Sequence, residues 1–411
     1  MYYLCVMINR VIKREIIDSL RLKEITVVIG ARQVGKTTVL KEIMSELDKT
    51  LFFNLDIEQD NLHFESQQHF LQRIQLEFGD EKAYVFIDEV QQKKDAGRFL
   101  KGLYDMDLPY KFIVTGSGSI ELKEKINEAL TGRKHLIEMS SVTFNEFVNY
   151  KTDNKYTNRL KTYFEIEKEQ TKLFLDEYLK FGGYPAVVTA ETALRKKEIM
   201  NEIFNSYITK DISFLLEVKF PDKFVKLIQL LAVQSGSIIN YSQLSQDTAL
   251  SVETLKNYLW YAEQTFIISI VKPYFTNAKK EITKSPTIYF NDLGMCNFSK
   301  SSYGIGNVDG MLFQNFIYLL LKKKYEKGLS KINFWRTKDK AEVDFVVQSE
   351  QGLTPIEVKY SELKKPTVSR SFRSFINKYS PKIAFIVNLG LETDMLINET
   401  TVKFIPYWKL V

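Results

Sequence analysis

The stretch that decides the fold runs from Ile25 to Thr38 and reads Ile-Thr-Val-Val-Ile-Gly-Ala-Arg-Gln-Val-Gly-Lys-Thr-Thr. Its opening apolar, β-branched run predicts a buried strand, and residues 39–44 predict a helix. Between them stands the spacing Gly-x-x-x-x-Gly-Lys-Thr, which in the order strand, loop, helix is typical of a phosphate-binding loop. An ordinary glycine turn before a helix is the alternative, and the complete motif in this context argues against it. We therefore expect the chain to bind a nucleoside triphosphate.

The glycines of this loop allow backbone N–H groups to turn toward phosphates, and the helix N-terminus adds its positive end. Lys36 is expected to reach the β- and γ-phosphates, and the Thr37 hydroxyl is expected to hold Mg²⁺. The residues expected to contact the nucleotide here are Gly30, Ala31, Arg32, Gln33, Val34, Gly35, Lys36, Thr37 and Thr38. ATP and Mg²⁺ are thus the expected cofactors.

The composition limits the classes of protein to which the chain can belong. Its 411 residues, 45% hydrophobic and 26% charged, predict a globular protein of two to four domains. The net charge of +6 permits an acidic partner such as nucleic acid without requiring one. Only Cys5 and Cys296 are present, which excludes a disulfide scaffold and favours a reducing compartment.

The chain also lacks sequence signals for a membrane or for secretion. No apolar run approaches the length that spans a bilayer, so no membrane partner is expected. Residues 1–8 are short and lack a basic leader, which is a poor secretory signal. We expect a cytoplasmic protein.

Two acids follow a second apolar run, residues 83–87. Ligands of a parallel α/β sheet gather at the carboxyl ends of its strands. Asp88 is therefore expected to hold Mg²⁺, and Glu89 is expected to act as the base that polarises the attacking water. The alternative is that Asp88 merely caps the next helix.

Residues 111–117 predict another strand, which ends in small hydroxyl residues. Thr115 or Ser117 is placed there to sense the γ-phosphate or the water, and a simple Gly/Ser/Thr turn is an equal alternative. Further on, Arg133 follows a predicted helix. It is a candidate arginine finger or sensor, although its spacing alone favours an ordinary surface arginine.

Four segments together resemble the ATPase core of a group of prokaryotic AAA-type ATPases. They are residues 30–38, residues 86–91 (Phe-Ile-Asp-Glu-Val-Gln), residues 114–119 (Val-Thr-Gly-Ser-Gly-Ser) and residues 130–133 (Leu-Thr-Gly-Arg). The resemblance extends over nearly the whole chain. It implies a catalytic role for Arg133. The resemblance and an arginine finger that acts between subunits would both favour a homo-oligomer. The resemblance further implies that Gln91 couples the acidic strand end to the rest of the core.

The expected fold class is α/β, built from a P-loop NTPase parallel-sheet core with three attached parts. The predicted domains are the ATPase core at 1–150, a helical lid at 151–220, a winged helix at 221–298 and a nuclease-like domain at 299–411. A polar stretch at 151–161 marks the first boundary, and Gly182-Gly183-Tyr184-Pro185 forces a turn within the lid.

The winged helix is predicted from a short helix, a tight turn, a second helix and two strand-like segments. Its second helix offers Ser251, Thr254, Lys256 and Asn257, and the loop between the strands carries Asn277, Lys279, Lys280 and Lys284. Such a module binds DNA through its helix and a basic wing, or it docks a protein. Both partners are retained as expectations.

The last domain opens with a predicted helix from residue 310, and two predicted strands follow at 341–347 and 355–360. Side chains two apart share a face of a strand, so pairing these strands can bring Asp344, Glu357 and Lys359 together. Two carboxylates that hold Mg²⁺ and a lysine that orients water are the chemistry of a phosphodiesterase. An amphipathic hairpin with a solvated polar face is the alternative.

The order of these residues resembles the restriction-endonuclease-like nuclease superfamily. That resemblance implies an acid on the opening helix, where this chain has Gln314. An amide binds a metal more weakly than a carboxylate. Three functions stay open: an ATPase that drives a DNA-associated apparatus, a Mg²⁺-dependent nuclease gated by ATP, and an ATP-dependent protein-docking switch whose nuclease-like domain is inactive.

Overall fold

The apolar run before the phosphate loop forms strand β1 (Ile25–Gly30), whose residues are all buried. In the computed structural model it belongs to a parallel sheet of five strands ordered β2-β3-β4-β1-β5. The other four are β2 (Thr50–Asn54), β3 (Ala83–Asp88), β4 (Tyr110–Ser117) and β5 (Lys134–Glu138). Since every pairing is parallel, the carboxyl ends of these strands meet at one edge.

The structure describes residues 7–117, 129–214, 218–277, 281 and 284–410. The chain divides into two units that interleave along the sequence. Unit 1 comprises residues 1–153, 183–221 and 259–267, and unit 2 comprises residues 154–182, 222–258 and 268–411. No helix in the described part of the chain is long and apolar enough to cross a membrane.

Unit 1 contains helices as well as the parallel sheet. They are α1 (Ile12–Ser19), α2 (Lys36–Met44), α3 (Glu58–Leu62), α4 (Gln67–Phe78), α5 (Ala96–Asp105), α6 (Phe144–Lys151), α9 (Pro185–Thr189) and α10 (Ala193–Ser206), which a π-helical segment (Tyr207–Phe214) follows. Helix α6 begins with a capping box, in which Thr143 and Glu146 satisfy each other's backbone N–H groups.

Unit 2 contains α7 (Leu160–Ile166) and α8 (Lys168–Phe181), followed by a group of helices and a strand pair. That group is α11 (Pro221–Val233), α12 (Tyr241–Thr248), α13 (Val252–Gln264), β6 (Ile268–Val271) and β7 (Thr287–Phe290). The two strands pair antiparallel, and the start of α13 lies in unit 2 whereas its end lies in unit 1.

A mixed sheet occupies the rest of unit 2. Its strands are β8 (Lys331–Arg336), β9 (Glu342–Ser349), β10 (Gly352–Val358), β11 (Ile383–Asn388), β12 (Thr393–Ile397) and β13 (Thr400–Pro406), in the order β12-β13-β11-β10-β9-β8. The remaining helices are α14 (Leu293–Ser299), α15 (Gly310–Tyr325) and α16 (Arg370–Tyr379). Trp335, Val343 and Phe372 belong to the apolar core of this sheet.

The predicted α/β fold class is confirmed, with a parallel sheet as the core and a separate mixed sheet toward the C-terminus. Each predicted strand of the first domain is present with small shifts at its ends. The reason is local: runs such as residues 83–87 are long enough to cross a core, and they stop at a polar residue or a glycine.

Candidate functional site

The phosphate loop is fixed by two backbone constraints. A Cβ built on Gly30 would lie 2.2 Å from the carbonyl oxygen of Met139, so the strand end requires glycine. Gly35 has φ +96°, a left-handed conformation that glycine adopts without strain, and it is the N-cap of α2. Glycine brings no side chain that could cap the first turn of α2.

Lys36 is the first residue of α2 and is buried. Its ammonium donates to the carbonyl oxygens of Gly30 and Ala31, over 3.1 Å and 2.9 Å. These contacts fold the side chain back across the loop. A cation is thus held at the point where a helix N-terminus already favours anions.

Thr37, Asp88 and Thr115 form a hydrogen-bonded chain across three elements. The Thr37 hydroxyl donates to Asp88 Oδ2 over 2.5 Å, and the Thr115 hydroxyl donates to the other carboxylate oxygen. Asp88 ends β3, and both it and Thr115 are buried. The predicted proximity of Thr37 and Asp88 is therefore observed, whereas Thr115 faces Asp88.

Oxygen donors of this kind fit Mg²⁺, which binds through one or two protein oxygens together with phosphate and water. Within the described ranges, no three His, Cys, Asp or Glu side chains cluster in a way that could hold a metal. Thr37 and Asp88 would hold the ion, and substrate phosphates and water would complete its coordination. The chemistry of the donor set thus matches a nucleotide-bound magnesium.

Glu89 follows Asp88 in a left-handed conformation with φ +55°. The backbone turns sharply there, and the Glu89 carboxylate accepts a hydrogen bond from the side-chain amide of Gln91. The resemblance implied that Gln91 couples the acidic strand end to its surroundings. The hydrogen bond between Gln91 and Glu89 is a direct contact of Gln91 with that strand end. Glu89 is thereby held at the carboxyl edge of the sheet.

Sequence reasoning missed Arg10, which lies buried against the phosphate loop. Its guanidinium donates to the carbonyl of Val34 over 2.7 Å and to that of Ser140 over 2.6 Å. Its Nε lies 3.3 Å from Glu146, whose side chain is also buried. In the sequence Arg10 is simply an arginine just before an amphipathic helix. That position does not predict partners that lie 24 and 130 residues away.

Arg133 does not join the phosphate loop of its own chain. Its carbonyl accepts from the N–H of Ile25, the first residue of β1, so it lies at the amino edge of the sheet. Its guanidinium pairs with Asp105 over 2.7 Å. Arg133 and the phosphate loop therefore lie at opposite ends of β1, and the role of Arg133 as an arginine finger or sensor stays a prediction. Ser117 pairs with Gly30 at the carboxyl edge, and its side chain lies outside the described part.

A second polar cluster lies in unit 2 on β9, β10 and α15. Backbone N–H of Val358 donates to Asp344 Oδ2 over 2.7 Å, and the Gln314 amide lies 3.3 Å from Asp344 Oδ1. The Lys359 ammonium lies 2.6 Å from Glu357 Oε1. The predicted convergence of these side chains is therefore present, and Gln314 stands at the position where the resemblance implies an acid.

The electrostatics of this cluster are those of carboxylates without enough compensating charge. Burial raises the pKa of Asp344 to about 7, and the charge of Glu357 also raises it. The Val358 N–H and the Lys359 ammonium oppose the rise in pKa. The amide of Gln314 adds no charge. A cation placed between Asp344 and Glu357 would remove this penalty.

The predicted winged-helix residues are only partly described. Ser251 accepts from the Thr254 N–H over 3.1 Å, as a helix N-cap does, and the Lys256 ammonium lies 5.4 Å from the Tyr241 ring centre. Lys279 and Lys280, on which the basic wing depends, lie outside the described residues.

The sheet order, the phosphate loop and the Thr37–Asp88 contact define a P-loop ATPase fold. Residues 22–148 match a family model described as an AAA domain, in agreement with that class. Residues 172–302 and 309–410 match two models described as domains of unknown function, DUF8612 and DUF4143.

Similar proteins exist in archaea and bacteria. An uncharacterized protein of Methanocaldococcus jannaschii is 26% identical over 417 residues, covering 97% of this chain and 91% of that protein. An uncharacterized protein of Haemophilus influenzae is 25% identical over 353 residues, covering 82% of each chain. A solved Walker-type ATPase of Pyrococcus abyssi has a TM-score of 0.45 and 14% identity, covering 72% of this chain and 96% of that one.

Proposed function

We propose that this chain binds ATP with Mg²⁺ at the phosphate loop and hydrolyses it. The observation that carries the proposal is the 2.5 Å hydrogen bond between Thr37 and Asp88. It joins the first turn of α2 to the end of β3, which are the two places from which P-loop ATPases hold their magnesium. The match of residues 22–148 to an AAA domain supports the same function.

In this mechanism the N–H groups at the start of α2 bind phosphate oxygens, and Lys36 neutralises charge on the β- and γ-phosphates. Thr37 and Asp88 would hold Mg²⁺, which when bound stabilises the negative charge that develops on the transferred phosphoryl group. Thr115 keeps the Asp88 carboxylate in one orientation.

Glu89 accepts a proton from the attacking water, as a general base does. The hydrogen bond from Gln91 orients its carboxylate for that step. Steady-state ATP hydrolysis by wild-type protein and by Lys36→Ala tests the proposal. Loss of turnover in Lys36→Ala is expected, and hydrolysis that survives this change would contradict it.

We further propose that unit 2 is a DNA-associated module with a nuclease-like site. The specific observation that favours it is that Asp344 on β9 and Glu357 on β10 lie close to each other and to Lys359, the residue after β10. Asp344 and Glu357 would hold Mg²⁺, and Lys359 would orient a water for attack on a phosphodiester. Gln314 weakens the metal site relative to an acid, so cleavage is expected to be slow.

Incubation of supercoiled plasmid with Mg²⁺, with Lys359→Ala as the matched variant, tests cleavage. Equal cutting by both proteins would exclude this site. Helices α11, α12 and α13 with the β6–β7 pair have the element order of a winged helix, which supports contact with DNA. Docking of a protein through the same helices is the alternative, and it gains if DNA binding is absent at low salt while a protein copurifies.

Assembly into a homo-oligomer follows from the same proposals. Because Arg133 cannot reach its own chain's phosphate loop, its remaining catalytic role is that of a finger for a neighbouring chain. An Arg133→Ala variant mixed with Glu89→Gln protein tests this directly. If Arg133 acts on a neighbouring chain's nucleotide, the mixture should regain hydrolysis, because some sites then combine an intact Glu89 with the Arg133 of a neighbouring chain.

A further inference from the structure

The outer face of α16 carries a basic depression that no function assigned above uses. Its volume is about 440 Å³, and its lining residues are Arg370, Arg373, Ser374, Asn377 and Lys378. The opposite face of α16 packs Phe372, Phe375 and Ile376 into the core of the mixed sheet. The helix is therefore anchored by its apolar side and presents a purely polar, cationic side.

The stretch of sequence that forms this depression is rich in cations and contains no acid. From residue 363 to residue 391 the sequence contains no Asp or Glu, and its cations are Lys364, Lys365, Arg370, Arg373, Lys378 and Lys382. All six are exposed. By contrast, Lys403 pairs with Asp394 over 3.0 Å and Lys409 pairs with Glu392 over 2.5 Å in the same unit. Such a one-sided patch attracts anions.

The patch begins at the nuclease-like cluster. Ser369 caps α16 by accepting from the N–H of Phe372 over 3.1 Å, and its hydroxyl donates to Glu357 Oε2 over 2.9 Å. Arg370 is the next residue along the chain. From that point the ten residues of α16 extend for about 15 Å. The cationic row therefore starts at Glu357 and leads away from it.

We infer that the outer face of α16 binds the phosphodiester backbone of a nucleic acid and leads it to Asp344 and Glu357. This inference rests on the proposed nuclease-like function of unit 2. Two arginines fit phosphate oxygens through paired N–H groups, while Ser374 and Asn377 supply neutral hydrogen bonds to the backbone. Contacts to the phosphodiester backbone carry no sequence information, so binding through this face is expected to be independent of sequence.

A lipid surface fits the same face less well. Helices that bind membranes insert an apolar face between the lipids. In α16 that face is occupied by packing against the sheet, and its exposed side offers no apolar side chain. An anionic lipid or an acidic peptide would also be attracted by the positive charge here, but the adjacent pair of carboxylates would not bind either of them. A phosphodiester can bind beside these carboxylates when Mg²⁺ lies between them.

The test compares the double variant Arg370→Ala/Arg373→Ala with Arg98→Ala/Lys101→Ala. The control removes two exposed cations at the same i, i+3 spacing from α5. A third variant, Arg370→Lys/Arg373→Lys, keeps the charge. Binding of full-length protein to fluorescent 20-base-pair duplex DNA, and to single strands of DNA and RNA, is measured by anisotropy. EDTA is present throughout, so that no cleavage interferes, and NaCl is varied from 50 to 200 mM.

The α16 double alanine variant is expected to bind duplex about tenfold more weakly at 50 mM NaCl. Its slope of log K against log[NaCl] should fall by about 1.8, because each lost phosphate contact removes about 0.9. The α5 control and the lysine variant should keep the wild-type slope. If the wild type binds nucleic acid and the α16 alanine variant shows the same slope, the inference fails while the proposed DNA association stands.

If the wild type binds no nucleic acid at 50 mM NaCl, both the DNA association and this inference fail. Vesicles containing phosphatidylserine and a polyglutamate peptide serve as the remaining probes. Arginine-dependent binding to either of these, without binding to nucleic acid, would overturn the inference in favour of that ligand.

Discussion

The hydroxyl of Thr37 lies 2.5 Å from a carboxylate oxygen of Asp88, although 51 residues separate the two in the sequence. Thr37 lies in the first turn of α2, and Asp88 ends β3, which is two positions from β1 in the sheet. Their contact fixes where a magnesium ion and the phosphates it binds would be held. The predictions for unit 1 follow from this contact and from the residues that support it.

Replacement of Thr37 by alanine removes one of two protein oxygens placed to hold Mg²⁺. We expect the MgCl₂ concentration for half-maximal ATP hydrolysis to rise about tenfold or more, because the ion loses the binding free energy that one protein ligand contributes. Thr37→Ser retains the hydroxyl and should stay close to wild type. An unchanged magnesium dependence in Thr37→Ala would show that this hydroxyl is not a ligand.

Thr115→Val replaces a buried hydroxyl with a methyl group of similar size. Asp88 Oδ1 loses the Thr115 hydroxyl and keeps only the Glu89 N–H as a donor, which should lower the free energy of unfolding by about 1–3 kcal/mol. Because Asp88 is then less well oriented, kcat should fall several-fold while the KM for ATP stays nearly constant. Urea unfolding and steady-state kinetics measure the two effects, with Thr115→Ser as the control. A large rise in KM without a fall in kcat would contradict a role through Asp88.

Arg10→Ala leaves the Glu146 carboxylate buried without its cation and frees the Val34 carbonyl at the phosphate loop. Loss of one partner of a buried ion pair costs about 3–5 kcal/mol, so unfolding should occur at clearly lower urea. ATP affinity should fall as well, because the loop loses an anchor. Arg10→Ala/Glu146→Gln removes the stranded charge and should recover part of the stability without restoring ATP affinity. Recovery of both would assign Arg10 a purely structural role.

Asp344→Asn should change how stability depends on pH. The folded carboxyl has its pKa raised to about 7, from an ordinary value of 3.8, mainly by burial. Between these values the unfolded state has released its proton and the folded state has kept it, so wild-type stability declines as pH rises. The asparagine variant lacks this titration. Its advantage over wild type should grow by about 1.4 kcal/mol per pH unit between pH 5 and pH 7 and level off above.

Urea unfolding of both proteins in EDTA, at intervals from pH 4.5 to pH 8.5, provides the measurement. Added Mg²⁺ should reduce the advantage of the variant at pH 8 if Asp344 is a ligand. A constant difference between the two proteins across this range would mean that Asp344 titrates near its ordinary pKa.

The sequence was informative where the signal is local. The strand before the phosphate loop, the turn at Gly35 and the helix from Lys36 are encoded within 20 residues, and the acids at Asp88 and Glu89 follow an unbroken apolar run. Alternation on two strands was likewise enough to bring Asp344 and Glu357 together. In each case periodicity or backbone conformation decides the outcome without distant partners.

The sequence was uninformative where the result depends on which edge of the sheet a residue reaches. In the sequence Arg133 stands beside a glycine after a predicted helix, and only the pairing of β5 with β1 shows that it lies at the amino edge, away from the phosphates. Arg10 shows the converse. Its contacts are with carbonyls and a carboxylate that distant segments contribute, and no sequence motif predicts these contacts.

The most direct test of the central claim compares wild type with Glu89→Gln and Lys36→Ala, measuring ATP binding by calorimetry and hydrolysis by phosphate release, both with Mg²⁺. The account predicts hydrolysis by wild type, and binding without turnover by Glu89→Gln, whose kcat should fall by about 10²- to 10⁴-fold. Lys36→Ala should lose most of its binding and its turnover. Hydrolysis at the wild-type rate in both variants, or no binding of ATP by wild type, would contradict it.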